Sequence, residues 1–303
     1  MNKSYLINKD FVDTRLDKWL KTSVCNVPQS LIEKSIRKGK IKVNDKRKKS
    51  SYKLQINDRV NLYNINFIKK VQKEKFIYKI QKSDLKKINT IFIENNSNFV
   101  VINKPSGIAV QSGTKSRKNI IDMLRYTSEF KDASPFTVHR IDKETTGILI
   151  VAKNRKYAQL FTSLFRIRKI HKTYLCVVLG LLDKKKGILK DDLIYFDGRK
   201  KIKTTAITAY KVLDSNNNYS LLSLNPETGR KHQLRRQLLI HGHPIFGDTK
   251  YRISANRDIK VNNLMLHAYK VSFSINNEKY IFTAKLPIPF EKFLKEKYLK
   301  IYQ

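Results

Sequence analysis

Four consecutive aliphatic residues, Ile148-Leu149-Ile150-Val151, follow directly on the densest polar cluster of the chain, His139-Arg140-Ile141-Asp142-Lys143-Glu144-Thr145-Thr146-Gly147. A strand with no polar side is a buried strand, so whatever this chain folds into must cover both faces of that run. The polar cluster is then a loop entering a rigid strand, the kind of platform that holds a reactive carboxylate in one geometry. Asp142 is the candidate for that role. Taken alone, an Asp followed by Thr145 and Gly147 reads equally well as a turn or capping residue.

Charge narrows the partners. Against 25 Asp and Glu stand 63 Lys and Arg, a formal net charge of +38 over 303 residues. A folded protein so unbalanced repels itself unless it meets an anion: RNA, DNA or an acidic membrane surface. The opening residues MNKSYLINKD hold no apolar signal core and no long uncharged stretch follows, which disfavours the membrane and predicts a soluble, cytoplasmic protein. Part of the basic excess is compositional, since Lys, Asn and Ile are abundant throughout. Cys25 and Cys176 lie far apart without metal-ligand spacing, as thiols do in a reducing compartment.

Along the chain, Leu16, Trp19 and Leu20 fall on one helical face with Lys18 and Lys21 opposite. After Pro28 a second helix is predicted, with Leu31, Ile32 and Ile36 inward and Lys34, Arg37 and Lys38 outward, ending at Gly39. Ile41 and Val43, then Leu54, Ile56, Val60 and Leu62, predict short strands. Two basic helices on a few strands make a unit over residues 12–63, and the Lys-rich residues 64–88 read as a linker.

From residue 89 to 303 the texture changes. IFIENNSNFVVINKPSG reads as strand, Asn-rich turn, strand and break; a helix is predicted near Ile120 to Arg125, strands at Ile148 to Ala152 and Tyr174 to Leu179, and a helix around Tyr157 to Phe165. Mixed elements without regular βαβ alternation predict an α+β fold.

His139, His232, His241, His243 and His267, with Asp142 and Asp248, invite a metal reading, but neither HxxxH nor a paired-Cys motif occurs, and structural hydrogen bonding is preferred for them. No GxxxxGK[ST] or GxGxxG loop is present, so no metal and no nucleotide cofactor is expected.

Residues 12–63, with TRLDKWL and IRKGKIKVND, resemble an S4-type RNA-binding domain, a small α-L fold. That resemblance makes Lys34, Arg37 and Lys38 phosphate contacts, their alternative being a merely solvated face. HRIDKETTGILIVAK resembles the catalytic motif of the RluA family of RNA pseudouridine synthases. The NKPSG segment at Asn103, HKTYLCVVLG from His171, NPETGRKHQLRRQLLIHGHPIFGDTKY from Asn225 and LMLHAY from Leu264 follow in the family's order.

The resemblance implies a catalytic domain with a mixed, mainly antiparallel sheet and a central cleft. It implies that Asp142 attacks the ribose of a flipped uridine or removes a proton from it. Arg230 would be the basic partner that keeps the carboxylate charged, and Tyr174 the aromatic ring against the uracil. Leu266 would bracket the base, and Arg140, with His139 beside it, would fill the gap the flipped base leaves. Their plain alternatives are a packed strand Tyr, a core Leu and a phosphate contact. No cofactor is implied. The partner is RNA, as in the branch of the family that modifies large-subunit ribosomal RNA, and a monomer is expected because no strong apolar surface helix appears. Salt should weaken RNA binding steeply.

Thr146 stands where the family more often has Ser, Gln237 where it often has His, and Cys176 where a small Ala is common. The Gln is expected to alter an RNA contact or local packing. Two other classes remain open at this level: an RNA-binding protein that kept the scaffold without the chemistry, and a metal-dependent nuclease.

Overall fold

The computed structural model describes residues 2–25, 27–65, 80–81, 84, 88–112, 118–197, 200–253 and 263–301. It divides into two units, Met1–Phe76 and Ile77–Gln303.

In the first unit, α1 (Leu16–Trp19) runs on into a π-helical turn at Leu20–Val24, and α2 (Gln29–Arg37) follows Pro28. Leu16, Trp19, Leu20, Ile32 and Ile36 are buried together. Leu31 is not with them: it is 44% exposed, and Ser35 takes the inward place. At 100° per residue Leu31 lies off the stripe that Ile32, Ser35 and Ile36 share. Lys34, Arg37 and Lys38 are exposed, as expected. Gly39 ends the helix with φ +72°, and a Cβ there would collide with the Arg47 guanidinium.

Three strands, β1 (Lys3–Leu6), β2 (Ile41–Val43) and β3 (Arg59–Leu62), form an antiparallel sheet in the order β1-β3-β2. The first lies ahead of the predicted boundary at residue 12, and its Tyr5 ring packs edge-on against Trp19 at 5.7 Å. Of the apolar pattern from Leu54 to Leu62 only the last part forms a strand. Leu54 is buried in a loop, and Ile56 is exposed in the turn before β3.

Most of the predicted linker, 64–88, falls outside the described residues. Its far end belongs to the second unit, where Ile88 is buried against Val100, Ile102, Leu149 and Val151, with Ile80 packed alongside.

That second unit is built on ten strands: β4 (Phe92–Asn95), β5 (Phe99–Lys104), β6 (Phe136–Thr137), β7 (Thr146–Ala152), β8 (His171–Leu179), β9 (Lys186–Asp197), β10 (Lys200–Ser215), β11 (Tyr219–Pro226), β12 (Leu266–Ile275) and β13 (Glu278–Thr283). Their order is β4-β5-β7-β12-β8-β11-β10-β9, with β6 on β7 and β13 on β12. Among the described strand pairs only β7–β12 is parallel, so the sheet is mixed and mainly antiparallel. Among the described residues, α3 (Ile120–Leu124), α4 (Arg155–Arg166), α5 (Gln233–Ile240) and α6 (Ile288–Glu296) join it.

The local causes are plain. Asn96 Oδ1 accepts from the amides of Asn98 and Phe99, closing the turn between β4 and β5. Asn119 and Asn154 cap α3 and α4 through the amides of Asp122 and Tyr157. All seven residues of β7 are buried. Ile148 and Ile150 meet Phe99 and Phe161 on one face, while Leu149 and Val151 meet Ile102, Ile120 and Leu124 on the other. Each such side chain contributes ~1.5–3 kcal/mol by leaving water, which makes β7 a stiff support for the loop ahead of it. Gly147, with φ +104°, lets β12 approach: a Cβ there would fall on the Ala268 backbone.

Candidate active site

Asp142 sits in the loop between β6 and β7, and the preceding NKPSG segment holds that loop from behind. Lys104, wholly buried, donates its three ammonium protons to the carbonyls of Pro105 (2.8 Å), Ile108 (3.0 Å) and Lys143 (3.0 Å). Gly107 N donates to Lys143 O at 2.9 Å and Ser106 Oγ to Glu144 O at 3.0 Å. Burial draws the Lys104 pKa down to about 7 against the opposing pull of Glu144 and Asp142.

His139 pins the other end. Its Nε2 accepts from Ile150 N at 2.8 Å, just beyond the point where β6 leaves β7, and its ring lies on Phe165 at 4.5 Å. The ring lines the cleft, but this nitrogen is committed to the backbone. Burial, with the Lys172 charge nearby, lowers its pKa to about 3. Behind the strand, His267 Nδ1 lies 2.8 Å from Thr146 Oγ1 and its Nε2 lies 3.4 Å from Ala284 O. Since a carbonyl only accepts, Nε2 carries the proton and the Thr hydroxyl donates to Nδ1, so replacing Ser by Thr preserves the bond. Burial lowers the His267 pKa to about 4.

Both imidazoles are thus neutral in the folded protein, whereas an unfolded His titrates near ~6.5. Below that value the unfolded chain takes up protons the native state refuses, so stability should fall as pH drops from about 6.5 through about 4 to about 3. Urea midpoints at pH 7 and pH 5 measure this, and His139→Asn, which keeps an acceptor but takes up no proton, should show a smaller loss. Equal pH dependence in the two proteins would contradict it.

The cleft in front of Asp142 measures about 540 Å³ and is lined by Arg140, Asp142, Tyr174, Arg230, His232, Arg235 and Leu266, among others. The guanidinium beside Asp142 belongs to Arg235, not to Arg230: Arg235 Nη1 lies 3.4 Å from Asp142 Oδ2, while Arg230, exposed, donates from Nε to Thr205 O at 3.2 Å. α5 begins only at Gln233, so its first turn points Arg235 into the cleft and leaves Arg230 on the strand side. Asp248 clamps Arg235 by two bonds, 2.6 Å to Nε and 2.7 Å to Nη2, and the Tyr251 ring lies 5.2 Å from its guanidinium carbon. Burial would lower the Arg235 pKa, but Asp248 and Asp142 outweigh it and hold the charge firmly. His232 stands on the same side, Nε2 3.8 Å from Asp142 Oδ1.

Tyr174 comes from β8 and Leu266 from the start of β12. Burial and the Asp142 charge push the Tyr174 phenol well above the usual range, so it stays protonated. Leu266 and Cys176 are buried and face each other in register across β12 and β8. Arg140 is exposed at the cleft. Gln237 is wholly buried, accepting from Thr208 Oγ1 at 2.7 Å and donating to Asp191 Oδ2 at 2.8 Å, so its place is in packing and not at an RNA surface.

In the first unit, Arg37 of α2 shares a groove of about 570 Å³ with Arg47, Lys48 and Lys49. The KRKK run from Lys46 was the signal for that second basic wall. Among the described residues no group of three or more His, Cys, Asp or Glu is arranged to hold a metal, and no helix is long and apolar enough to cross a membrane. The histidines bond elsewhere: His241 Nε2 lies 3.2 Å from Asp191 Oδ1, and His243 Nδ1 3.1 Å from Leu179 O.

Residues 98–239 match the RNA pseudouridylate synthase family and residues 14–60 the S4 domain. Ribosomal large subunit pseudouridine synthase C of Buchnera aphidicola (subsp. Acyrthosiphon pisum) is 34% identical, with 95% of each chain covered. The protein of that name from Rickettsia conorii is also 34% identical, over 93% of this chain and 96% of its own. Human RNA Pseudouridylate Synthase Domain Containing 4 superposes with a TM-score of 0.62 at 27% identity, covering 72% of this chain and 97% of that one. Two matched domains in the expected order and relatives similar along nearly their whole length have one meaning: the chain belongs to the RNA pseudouridylate synthase family, with an S4 domain ahead of the catalytic unit.

Proposed function

We propose that this chain isomerises specific uridines of large-subunit ribosomal RNA, with Asp142 as the residue that acts on the ribose. The observation that carries the reading is the placement of the Asp142 carboxylate: at the cleft wall, 22% exposed, on a loop pinned by Lys104 and His139, with the Arg235 guanidinium 3.4 Å away. A carboxylate so held needs no reorganisation to meet a sugar presented in one orientation. The names of the relatives and the S4 domain support ribosomal RNA as substrate.

The uridine leaves its stack because the reacting bond is otherwise out of reach. Tyr174 and Leu266 then offer faces for the uracil, and exposed Arg140 lies where a side chain can occupy the vacated space. Asp142 attacks the sugar or takes a proton from it as the N-glycosidic bond breaks; the base turns and rejoins through carbon. Arg230, at the cleft edge, takes phosphate in this reading, and Lys34, Arg37 and Lys38, with Arg47, Lys48 and Lys49, hold the RNA backbone electrostatically. The protein works as a cytoplasmic monomer without metal or nucleotide cofactor.

The test is to incubate the protein and its Asp142→Asn variant with unmodified ribosomal RNA in EDTA and to map pseudouridine by carbodiimide-dependent primer-extension stops. Stops at discrete uridines with the wild type alone are expected. Equal stops with the variant would remove Asp142 from the chemistry, and tight binding without stops by either protein, on free RNA or assembly intermediates, would favour RNA binding alone.

A further inference from the structure

We propose that His232 is the base that removes the C5 proton of the re-attached uracil, the step that completes the isomerisation. The inference rests on the Asp142 cleft being the active site.

Once C5 has bonded to C1′, that carbon is tetrahedral and still bears its hydrogen, while the ring holds a C6=N1 double bond. A base must take the C5 proton. The C5–H electrons then form C5=C6, the C6=N1 pair moves to N1, and N1 takes a proton from water. The base must stand within a few ångströms of C1′, hence close to the carboxylate that acts on the sugar.

His232 meets that condition. It lines the cleft, and its Nε2 lies 3.8 Å from Asp142 Oδ1, too far for a hydrogen bond and close enough to share a substrate. Its Nδ1 lies 3.0 Å from the Tyr251 hydroxyl. With Nδ1–H donating to Tyr251 Oη, the Nε2 lone pair is left facing the cleft. The residue holds φ +54°, a conformation uncommon outside glycine, at the entrance to α5, and the Tyr251 ring packs edge-on at 5.5 Å.

The other cleft groups are less suited. Tyr174 is held protonated and the Arg235 guanidinium is a fixed cation, while the Asp142 carboxylate, free again once C5 holds C1′, faces that guanidinium at 3.4 Å and is a weaker base for it. Asp142, Arg235, Lys250, Lys231 and the Tyr251 hydroxyl are the groups that face His232. Burial lowers its pKa, Asp142 opposes that, and the three cations reinforce it, so the imidazole is neutral and able to accept at neutral pH. The imidazolium formed on proton transfer lies beside the Asp142 carboxylate, which stabilises it.

The experiment is single-turnover pseudouridine formation by the full chain on unmodified large-subunit ribosomal RNA transcribed with uridine or 5-deuterouridine, for wild type, His232→Gln, Tyr251→Phe and Asp142→Asn. Thermal melts confirm that each variant is folded. His232→Gln should slow the reaction ~10²–10⁴-fold with unchanged RNA affinity. It should also show a C5 isotope effect absent from the wild type and lose the acid limb of the pH–rate profile. Tyr251→Phe, which keeps the ring and drops the hydroxyl, should show a smaller loss of the same kind. A His232→Gln rate equal to wild type, or a slowed rate without an isotope effect, overturns the proposal while leaving Asp142 in place. An active Asp142→Asn instead overturns the assignment of the site.

Discussion

Arg235→Met is expected to cost ~3–5 kcal/mol of stability, since removing one partner of a buried ion pair strands the other charge. The stranded group is Asp248, whose side chain is wholly buried and whose Oδ1 also accepts from Lys250 N and Tyr251 N. The loss should appear as a lower urea midpoint. Pseudouridine formation should fall as well, because Asp142 loses its guanidinium. The double variant Arg235→Met/Asp248→Asn separates the two effects: the amide still accepts from the two backbone N–H groups but carries no charge. Stability should largely return while activity does not. Arg230→Met, at an exposed position, should stay within ~0.5 kcal/mol of wild type. A wild-type urea midpoint for Arg235→Met would sink this account of the clamp.

Lys104→Met should be nearly as damaging, although Lys104 makes no ion pair among the described residues. Methionine fills a similar volume but donates nothing, so the carbonyls of Pro105, Ile108 and Lys143 lose a charged donor in a place water does not reach. At ~1–3 kcal/mol for a buried polar group left unsatisfied, a loss of about 3 kcal/mol or more is expected. The functional signature is more specific. Lys143 O belongs to the residue after Asp142, so slackening that bond loosens the carboxylate without touching the basic face of the S4 unit. The rate of pseudouridine formation should therefore drop while RNA affinity holds. A Lys104→Met protein with a wild-type single-turnover rate would show that the loop keeps its shape unaided.

Both residues illustrate how far a linear reading reaches. The NKPSG segment was matched as a motif, but nothing in its spacing says that its Lys threads back to a carbonyl 39 positions later. Within NPETGRKHQLRRQ the motif points to Arg230, because the residues alone do not show where the helix begins. The hydrogen bond that decides the matter joins Arg235 to Asp142 across 93 positions. His139 is expected among the substrate contacts because it opens the motif; its ring lines the cleft, and nothing in the sequence shows that its Nε2 accepts from the backbone of β7. β1 is not legible in the sequence because its four residues are only half-buried or exposed and too few to set a pattern.

What the amino-acid order determined by itself is the part governed by nearest neighbours and by composition. The aliphatic run made β7 a strand buried on both faces, Asn96 and Asn154 set a turn and a cap, and the alternation of elements without βαβ regularity led to a mixed sheet. The family motifs, each contiguous, were legible for the same reason. Tertiary structure alone decided which arginine meets Asp142, that Asp248 clamps it, that Gln237 is interior, and that His232 shares the cleft. Each of those depends on pairing between distant segments, where propensity and periodicity carry no information, and only the closing of β12 between β7 and β8 brings the partners within bonding distance.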